Sequence, residues 1–282
     1  MHLTKIKSYA KLNLSLGVLG KLKSKMHRIE SLISLINLYD EINIKKFRSK
    51  NHKIIFVGKF AKSITKNNTI FNLLKILDKK NYLKKEKYLI KVKKKIPQKS
   101  GMGGGSMNAS SLLKYFLKKN KLNLSKREVF NIASKIGSDV SIGLQNKPTI
   151  LFCNGSYRSF SKKFKFYTLL IKPNFGCSTK FIYNNIKKYS RPKLNFKLKK
   201  KLNNHLIKNL QNDLEKPAFE KYPVLSNLKK SMEKMDNILF VNMTGSGSTM
   251  VGYFNSKKSA INAQKILKKK YNKYWCILSK TI

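Results

Sequence analysis

One short segment restricts what this chain can fold into more than any other. Residues 95–117 read KIPQKSGMGGGSMNASSLLKYFL. A lysine-rich alternating run stops at Pro97, four glycines stand between positions 101 and 105, and a helical segment is expected from about Asn108. Glycine is costly to order, so a cluster of this density needs a reason. Without Cβ atoms, the backbone N–H groups can come close to an anion. The following helix aims its unpaired N–H groups and the positive end of its dipole at the same point. Strand, glycine turn and helix start in this order make a cradle for a di- or triphosphate. Two common versions of that cradle do not fit. The Walker pattern requires Gly-Lys-Ser/Thr at the loop end, and Gly105 is followed here by Ser106-Met107. The dinucleotide fingerprint Gly-x-Gly-x-x-Gly is broken at Ser106, and Lys121 stands where an acid would hold a ribose. A flexible linker is the plain alternative, and the flanking strand, proline and helix argue against it.

The rest of the chain mixes strands and helices. Apolar and polar residues alternate over 7–20, 29–47, 51–58 and 87–97, which predicts strands. Residues 67–81 carry a helical apolar stripe. Residues 125–137 predict a helix capped by Ser125, with Glu128 completing a capping box and Gly137 ending it. Strand-like 148–160 and 165–173 precede a helix at 178–189. A helix at 225–235, a strand–turn–strand at 237–254, a helix at 256–271 and a closing strand complete the chain. The expectation is an α+β protein of two halves, 1–160 and 161–282, divided near 155–165.

Composition excludes several classes. The 282 residues, 41% of them hydrophobic, suffice for a substantial core. No apolar run approaches the ~18 residues of a membrane span. The early lysines are not followed by a continuous apolar stretch or a cleavage site. A soluble, cytoplasmic protein with no membrane partner is expected. Cys153, Cys177 and Cys276 are far apart, with no CxxC and no cysteine–histidine cluster, and read as buried thiols in a reducing compartment. The 62 Lys+Arg against 12 Asp+Glu, a formal charge of +50, invite a nucleic-acid reading. The basic residues are nearly all lysine, however, and are spread along the chain beside abundant Asn and Ile. That is the pattern of A/T-rich codons. No zinc-finger spacing or RNP-like motif accompanies them. Weak, salt-sensitive adhesion to polyanions is expected, and specific nucleic-acid binding is not.

The segment IPQKSGMGGGSMNASSLL resembles the phosphate-binding motif of the GHMP kinases, the galactokinase, homoserine, mevalonate and phosphomevalonate kinases. Within them it looks most like the branch that phosphorylates the 2-hydroxyl of 4-diphosphocytidyl-2-C-methyl-D-erythritol with ATP, in non-mevalonate isoprenoid synthesis. The triple glycine followed by Ser-x-Asn-Ala is specific to that branch. YAKLNLSLGVLG, MHRIESLISLINLYDEI, IGSDVSIGL, CSTKFIY, NDLEKPA and MTGSGSTMVGYF also match the family's segments, in the family's order. The resemblance runs nearly from end to end. It implies a two-domain GHMP kinase architecture with the active site in the interdomain cleft, and use of Mg2+ and ATP.

The same resemblance implies roles for individual residues. A tertiary hydroxyl is hindered and barely acidic, so attack on the γ-phosphate needs positioning, a base and cationic stabilisation. Asp139 would be the base, and Lys11 beside it would orient the hydroxyl or the γ-phosphate. The ATP loop would comprise Pro97, Gln98, Lys99, Ser100, Gly101, Met102, Gly103, Gly104, Gly105, Ser106, Met107 and Asn108, with Asn68 towards the adenine. Asn13 would hydrogen-bond the substrate, His27 would read the cytosine edge, and Tyr183 would stack on the base. Thr179, the Asn212-Asp213 pair and the glycine turn Ser246-Gly247-Ser248 are softer candidates. Read without the family, Asp139 is equally an N-cap or turn residue, His27 a surface turn residue and Asn212-Asp213 a cap. The metal ligand is open: Ser106 is a candidate, and no dedicated carboxylate is evident.

Three positions depart from the family's pattern. Met26 replaces the aromatic that would form a second plate over cytosine. Methionine can cover a ring face through its polarizable sulfur, and weaker substrate binding is expected. Met107 stands where Ser is usual, and Ser141 where proline is usual. None removes a proposed catalytic group. Two alternatives remain: another GHMP small-molecule kinase, and a basic RNA-binding protein on a relic kinase scaffold. The oligomeric state is not legible.

Overall fold

The structure, a computed structural model, describes residues 3–22, 26–120, 122–160, 164–194, 207 and 209–282. Two long strands open the chain, β1 (Thr4–Lys21) and β2 (His27–Lys46), and they pair with each other. Next come β3 (Lys53–Val57), α1 (Thr69–Lys79) and β4 (Tyr88–Lys93). Three helices follow: α2 (Gly104–Lys119), α3 (Lys126–Ile136) and α4 (Ser138–Gly143). Then come β5 (Thr149–Leu151), β6 (Tyr157–Ser159), β7 (Tyr167–Lys172) and α5 (Thr179–Asn184). The chain ends with α6 (Glu215–Lys221), α7 (Pro223–Glu233), β8 (Ile238–Met243), β9 (Met250–Phe254), α8 (Lys257–Lys270) and β10 (Trp275–Lys280).

Cα packing groups these elements into two compact units that interleave along the chain. One contains Met1–Lys11, Leu38–Gln98 and Gly103–Asn146; the other contains Leu12–Asn37, Lys99–Met102 and Lys147–Ile282. In the first unit β4 lies between β3, to which it is parallel, and the C-terminal half of β2, to which it is antiparallel. Tyr88, Ile90 and Val92 of β4 point inward, while Lys91 and Lys93 are exposed, the alternation that a one-sided core requires. Ile70, Leu73, Leu74 and Leu77 of α1 and Ala109, Leu112, Leu113 and Phe116 of α2 meet that inner face in one core. The spacing of these residues, three and four apart, is what places them on one stripe of each helix.

In the second unit an antiparallel sheet runs β10-β7-β9-β8, with α7 and α8 supplying Leu225, Leu228, Met232, Ala260, Ala263 and Leu267 to its core. The N-terminal half of β2 pairs with β5, and β5 pairs with β6. The expected single strand over 148–160 is therefore a short hairpin, broken at Asn154-Gly155, where Gly155 takes φ +80°.

Other boundaries also differ from the sequence reading. Helix α2 starts at Gly104, four residues before the expected Asn108. Helix α5 ends at Asn184, well short of 189. Helices α4 and α6 were not anticipated; each is only six or seven residues long, too short to show a periodic stripe. Helix α3 and its reciprocal Ser125–Glu128 capping box are as expected. All three cysteines are free, but Cys177 alone is fully buried, while Cys153 and Cys276 are partly exposed.

Candidate active site

The glycine loop adopts backbone geometry that only a few residues tolerate. Lys99, Gly101 and Gly103 take φ of +47°, +74° and +68°. Gly103 is the N-cap of α2, so the chain turns through a left-handed residue directly into the helix. Glycine enters that region without strain, and this is why α2 begins before the apolar periodicity does. Met107 N–H is bonded to the carbonyl of Gly103, and the N–H groups ahead of it have no acceptor within the helix. The first turn of α2 thus presents Gly104, Gly105 and Ser106 as a donor end.

Two catalytic candidates meet at that helix start, within the first unit. Lys11 Nζ lies 3.3 Å from Asp139 Oδ2, with the lysine side chain 5% and the aspartate side chain 32% exposed. Lys11 is on β1. Asp139 is in the first turn of α4, where a carboxylate also faces favourable N–H dipoles. Both touch the loop: a Cβ on Gly103 would come within 3.1 Å of the Lys11 side chain and 3.4 Å of Asp139 Oδ2. Asp139 is neither the N-cap, which is Gly137, nor a turn residue, but lies inside the first turn of α4.

The remaining loop residues have distinct surroundings. Gln98 Nε2 donates to the carbonyls of Phe60 and Lys62. Asn68 caps α1: its Oδ1 accepts from Ile70 and Phe71 N–H, and its Nδ2 donates to Thr65 and Lys66 carbonyls. The side chain is committed to that cap. Thr69 Oγ1 donates to the Gly105 carbonyl at 2.7 Å, tying α1 to the start of α2. Pro97, Ser100, Met102, Met107 and Asn108 are buried. Within the second unit, Gly101 lies against the Thr244-Gly245 turn so closely that an added Cβ would fall 1.9 Å from the Thr244 carbonyl oxygen.

The second unit also assembles the base-recognition candidates. The rings of His27 and Tyr183 lie 5.0 Å apart at 37°. Partial burial, with Lys21 nearby, lowers the His27 pKa and favours the neutral imidazole. Thr179, one helical turn before Tyr183 on α5, shares a 2.9 Å hydrogen bond with Ser246 of the glycine turn. Asn13 is buried and donates through Nδ2 to Ser31 Oγ at 2.8 Å. Met26 is 64% exposed. Asn212 donates to the carbonyls of Met243 and Gly245, and Asp213 accepts from Val18 N–H, so this pair fastens the glycine turn and β1.

The comparisons with known proteins bear on this arrangement. The model of the GHMP kinase N-terminal domain matches residues 68–154, and that of the GHMP kinase C-terminal domain matches 196–273. A 4-diphosphocytidyl-2-C-methyl-D-erythritol kinase of Pelagibacter ubique (strain HTCC1062) is 51% identical over 282 residues, covering 100% of both chains. The chain belongs to the GHMP kinases. A Clostridium perfringens protein with the same kinase name is 31% identical, over 99% of this chain and 98% of its own. A crystal structure of a 4-(cytidine 5'-diphospho)-2C-methyl-D-erythritol kinase superposes with a TM-score of 0.78 at 20% identity, covering 98% of this chain and 99% of that one. The homoserine kinase of Cytophaga hutchinsonii gives 0.72 at 15% identity, over 100% of this chain and 95% of its own. At such identities the superpositions show the GHMP kinase fold alone. As a GHMP kinase the chain is an ATP-dependent phosphotransferase of mixed α and β structure.

One cluster in this GHMP kinase was missed in the sequence. Asp40, Lys94 and Asn108 form a buried polar group beneath the loop. With only 12 acidic residues in the chain, an aspartate inside an apolar strand was a usable signal.

Proposed function

We propose that the chain transfers the γ-phosphoryl group of ATP to the 2-hydroxyl of 4-diphosphocytidyl-2-C-methyl-D-erythritol. The relative bearing that name at 51% identity along the whole chain supports the substrate. The observation that carries the chemistry is the 3.3 Å pairing of Lys11 and Asp139 against Gly103, the N-cap of α2.

In this reading the N–H groups of Gly104, Gly105 and Ser106 cradle the nucleotide phosphates. Asp139 accepts the proton of the substrate's 2-hydroxyl as that hydroxyl oxygen attacks the γ-phosphorus in line, the bond to the β,γ-bridging oxygen breaks and ADP leaves. Lys11 places its ammonium where charge develops on the transferred group. Neutral His27 meets the cytosine edge, Tyr183 stacks on the ring, and Asn13 and Thr179 supply further polar contacts to the substrate. Mg2+, when bound, would neutralise charge on the nucleotide phosphates, and Ser106 could supply it a protein oxygen. Among the described residues no group of three His, Cys, Asp or Glu side chains could cage a metal.

A thermal-shift panel with 4-diphosphocytidyl-2-C-methyl-D-erythritol, homoserine, mevalonate and galactose tests the substrate. The cytidine compound alone should raise the melting temperature. A shift with homoserine or mevalonate instead would assign the chain to another branch of the GHMP kinases.

A further inference from the structure

Asp40 is fully buried, and all four of its hydrogen-bond donors flank the phosphate loop. Oδ1 accepts from the backbone N–H of Lys95 at 2.7 Å and of Ile96 at 2.9 Å, the last residues before Pro97. Oδ2 accepts from Lys94 Nζ and from Asn108 Nδ2, the latter at 3.0 Å and one turn inside α2. One carboxylate therefore holds both the strand end that enters the loop and the helix that leaves it. No exposed surface of Asp40 remains for a ligand, so its action must pass through these partners. The Asn108 amide depends on it as well: its Oδ1 has no partner among the described residues, which leaves the bond to Asp40 as that amide's tie.

We infer that Asp40 is a positioning residue of the phosphate loop, fixing the gap between residues 95–96 and Asn108 so that the α2 donor end is set before a nucleotide arrives. The three bonds beyond Lys94 satisfy the carboxylate's remaining lone pairs, and all three come from the two ends of the loop: consecutive backbone N–H groups at its entrance and the Asn108 amide at its exit. Closing a loop of about a dozen residues on one side chain removes conformations that the nucleotide would otherwise have to remove on binding. The inference rests on the nucleotide-loop reading given above.

The test compares two double variants, since Lys94 must not be stranded as a lone buried charge. Asp40→Ala/Lys94→Met removes every tie. Asp40→Asn/Lys94→Met keeps an acceptor for both N–H groups, and its amide can still bond Asn108. Binding of a methylanthraniloyl-ATP analogue is measured by fluorescence, binding of 4-diphosphocytidyl-2-C-methyl-D-erythritol by calorimetry, and folding by circular dichroism. The alanine variant should bind the analogue at least tenfold more weakly, with affinity for the cytidine compound within twofold of wild type. The asparagine variant should recover analogue affinity to within threefold. Wild-type analogue affinity in the folded alanine variant would overturn the inference. So would equal weakening for both ligands, or a lower active fraction at unchanged affinity, which mark a structural role alone. If the alanine variant does not fold, Asn108→Ala decides: unchanged analogue affinity overturns the exit tie. Failure of the wild-type chain to bind the analogue would instead sink the nucleotide reading itself.

Discussion

At the scale of single residues, the site depends on contacts with little slack. Gly103 combines a left-handed backbone with 3.1 Å clearance to Lys11. Alanine there strains the turn by about 1–2 kcal/mol and pushes on the acid–amine pair. Gly103→Ala should therefore keep its fold, as a melting curve would show, while kcat falls at least tenfold; unchanged kcat would mean that the pair does not depend on this contact. His27 gives a second residue-scale expectation. Burial and Lys21 lower its pKa below the usual ~6.5. The neutral form then persists to lower pH, so KM for the cytidine substrate should stay flat from pH 8 to about 6.5 and rise only below. A rise already at pH 7.5 would contradict a neutral His27 at the base. Lys11 shows how little a single residue says without its context. Among so many lysines its type is uninformative, and only its place in the AKLN segment marked it. Asp139 stands out by type, as one of 12 acidic residues, but its expected role came from the family's segment alone.

At the scale of elements, strands and long helices were readable because their periodicity is a direct record of one-sided burial. The short α4 and α6 were not, since six or seven residues cannot display a stripe. The start of α2 was misplaced because glycines carry no hydrophobic pattern, although they form its first turn. A tie between elements brings a pH dependence. His52 accepts the N–H of Tyr88 through Nδ1 and faces Asp78 through Nε2, linking the residue before β3 to β4 and α1. Its side chain is 10% exposed, and burial outweighs Asp78 in lowering its pKa. A lowered folded-state pKa means that the unfolded chain binds more protons below pH ~6.5, so stability falls as pH falls through that range. Urea melts at pH 7 and pH 5 should show a loss in the wild-type chain that is smaller in His52→Gln. Equal losses would remove His52 as the cause.

At the scale of the whole molecule, a charge of +50 and an enzyme's site occur in one chain. The lysines are spread over both units, and the expectation is that the charge acts as a general field. Binding to polyuridylate should drop at least a hundredfold between 50 and 200 mM salt. Binding that survives 200 mM salt would revive the relic-scaffold alternative. The family was legible from the order of its seven segments along the chain, a pattern that no single segment carries. The ties that hold the loop were not legible, since Asp40, Lys94 and Asn108 are far apart in sequence and meet only in the fold. The most direct test of the central claim is ADP release with 4-diphosphocytidyl-2-C-methyl-D-erythritol and ATP, in the native chain and in Asp139→Asn. The native chain should turn over, and the variant should lose about 10²–10⁴-fold in kcat with nucleotide KM little changed. Equal rates in the two proteins, or no turnover in the native chain, would contradict the account.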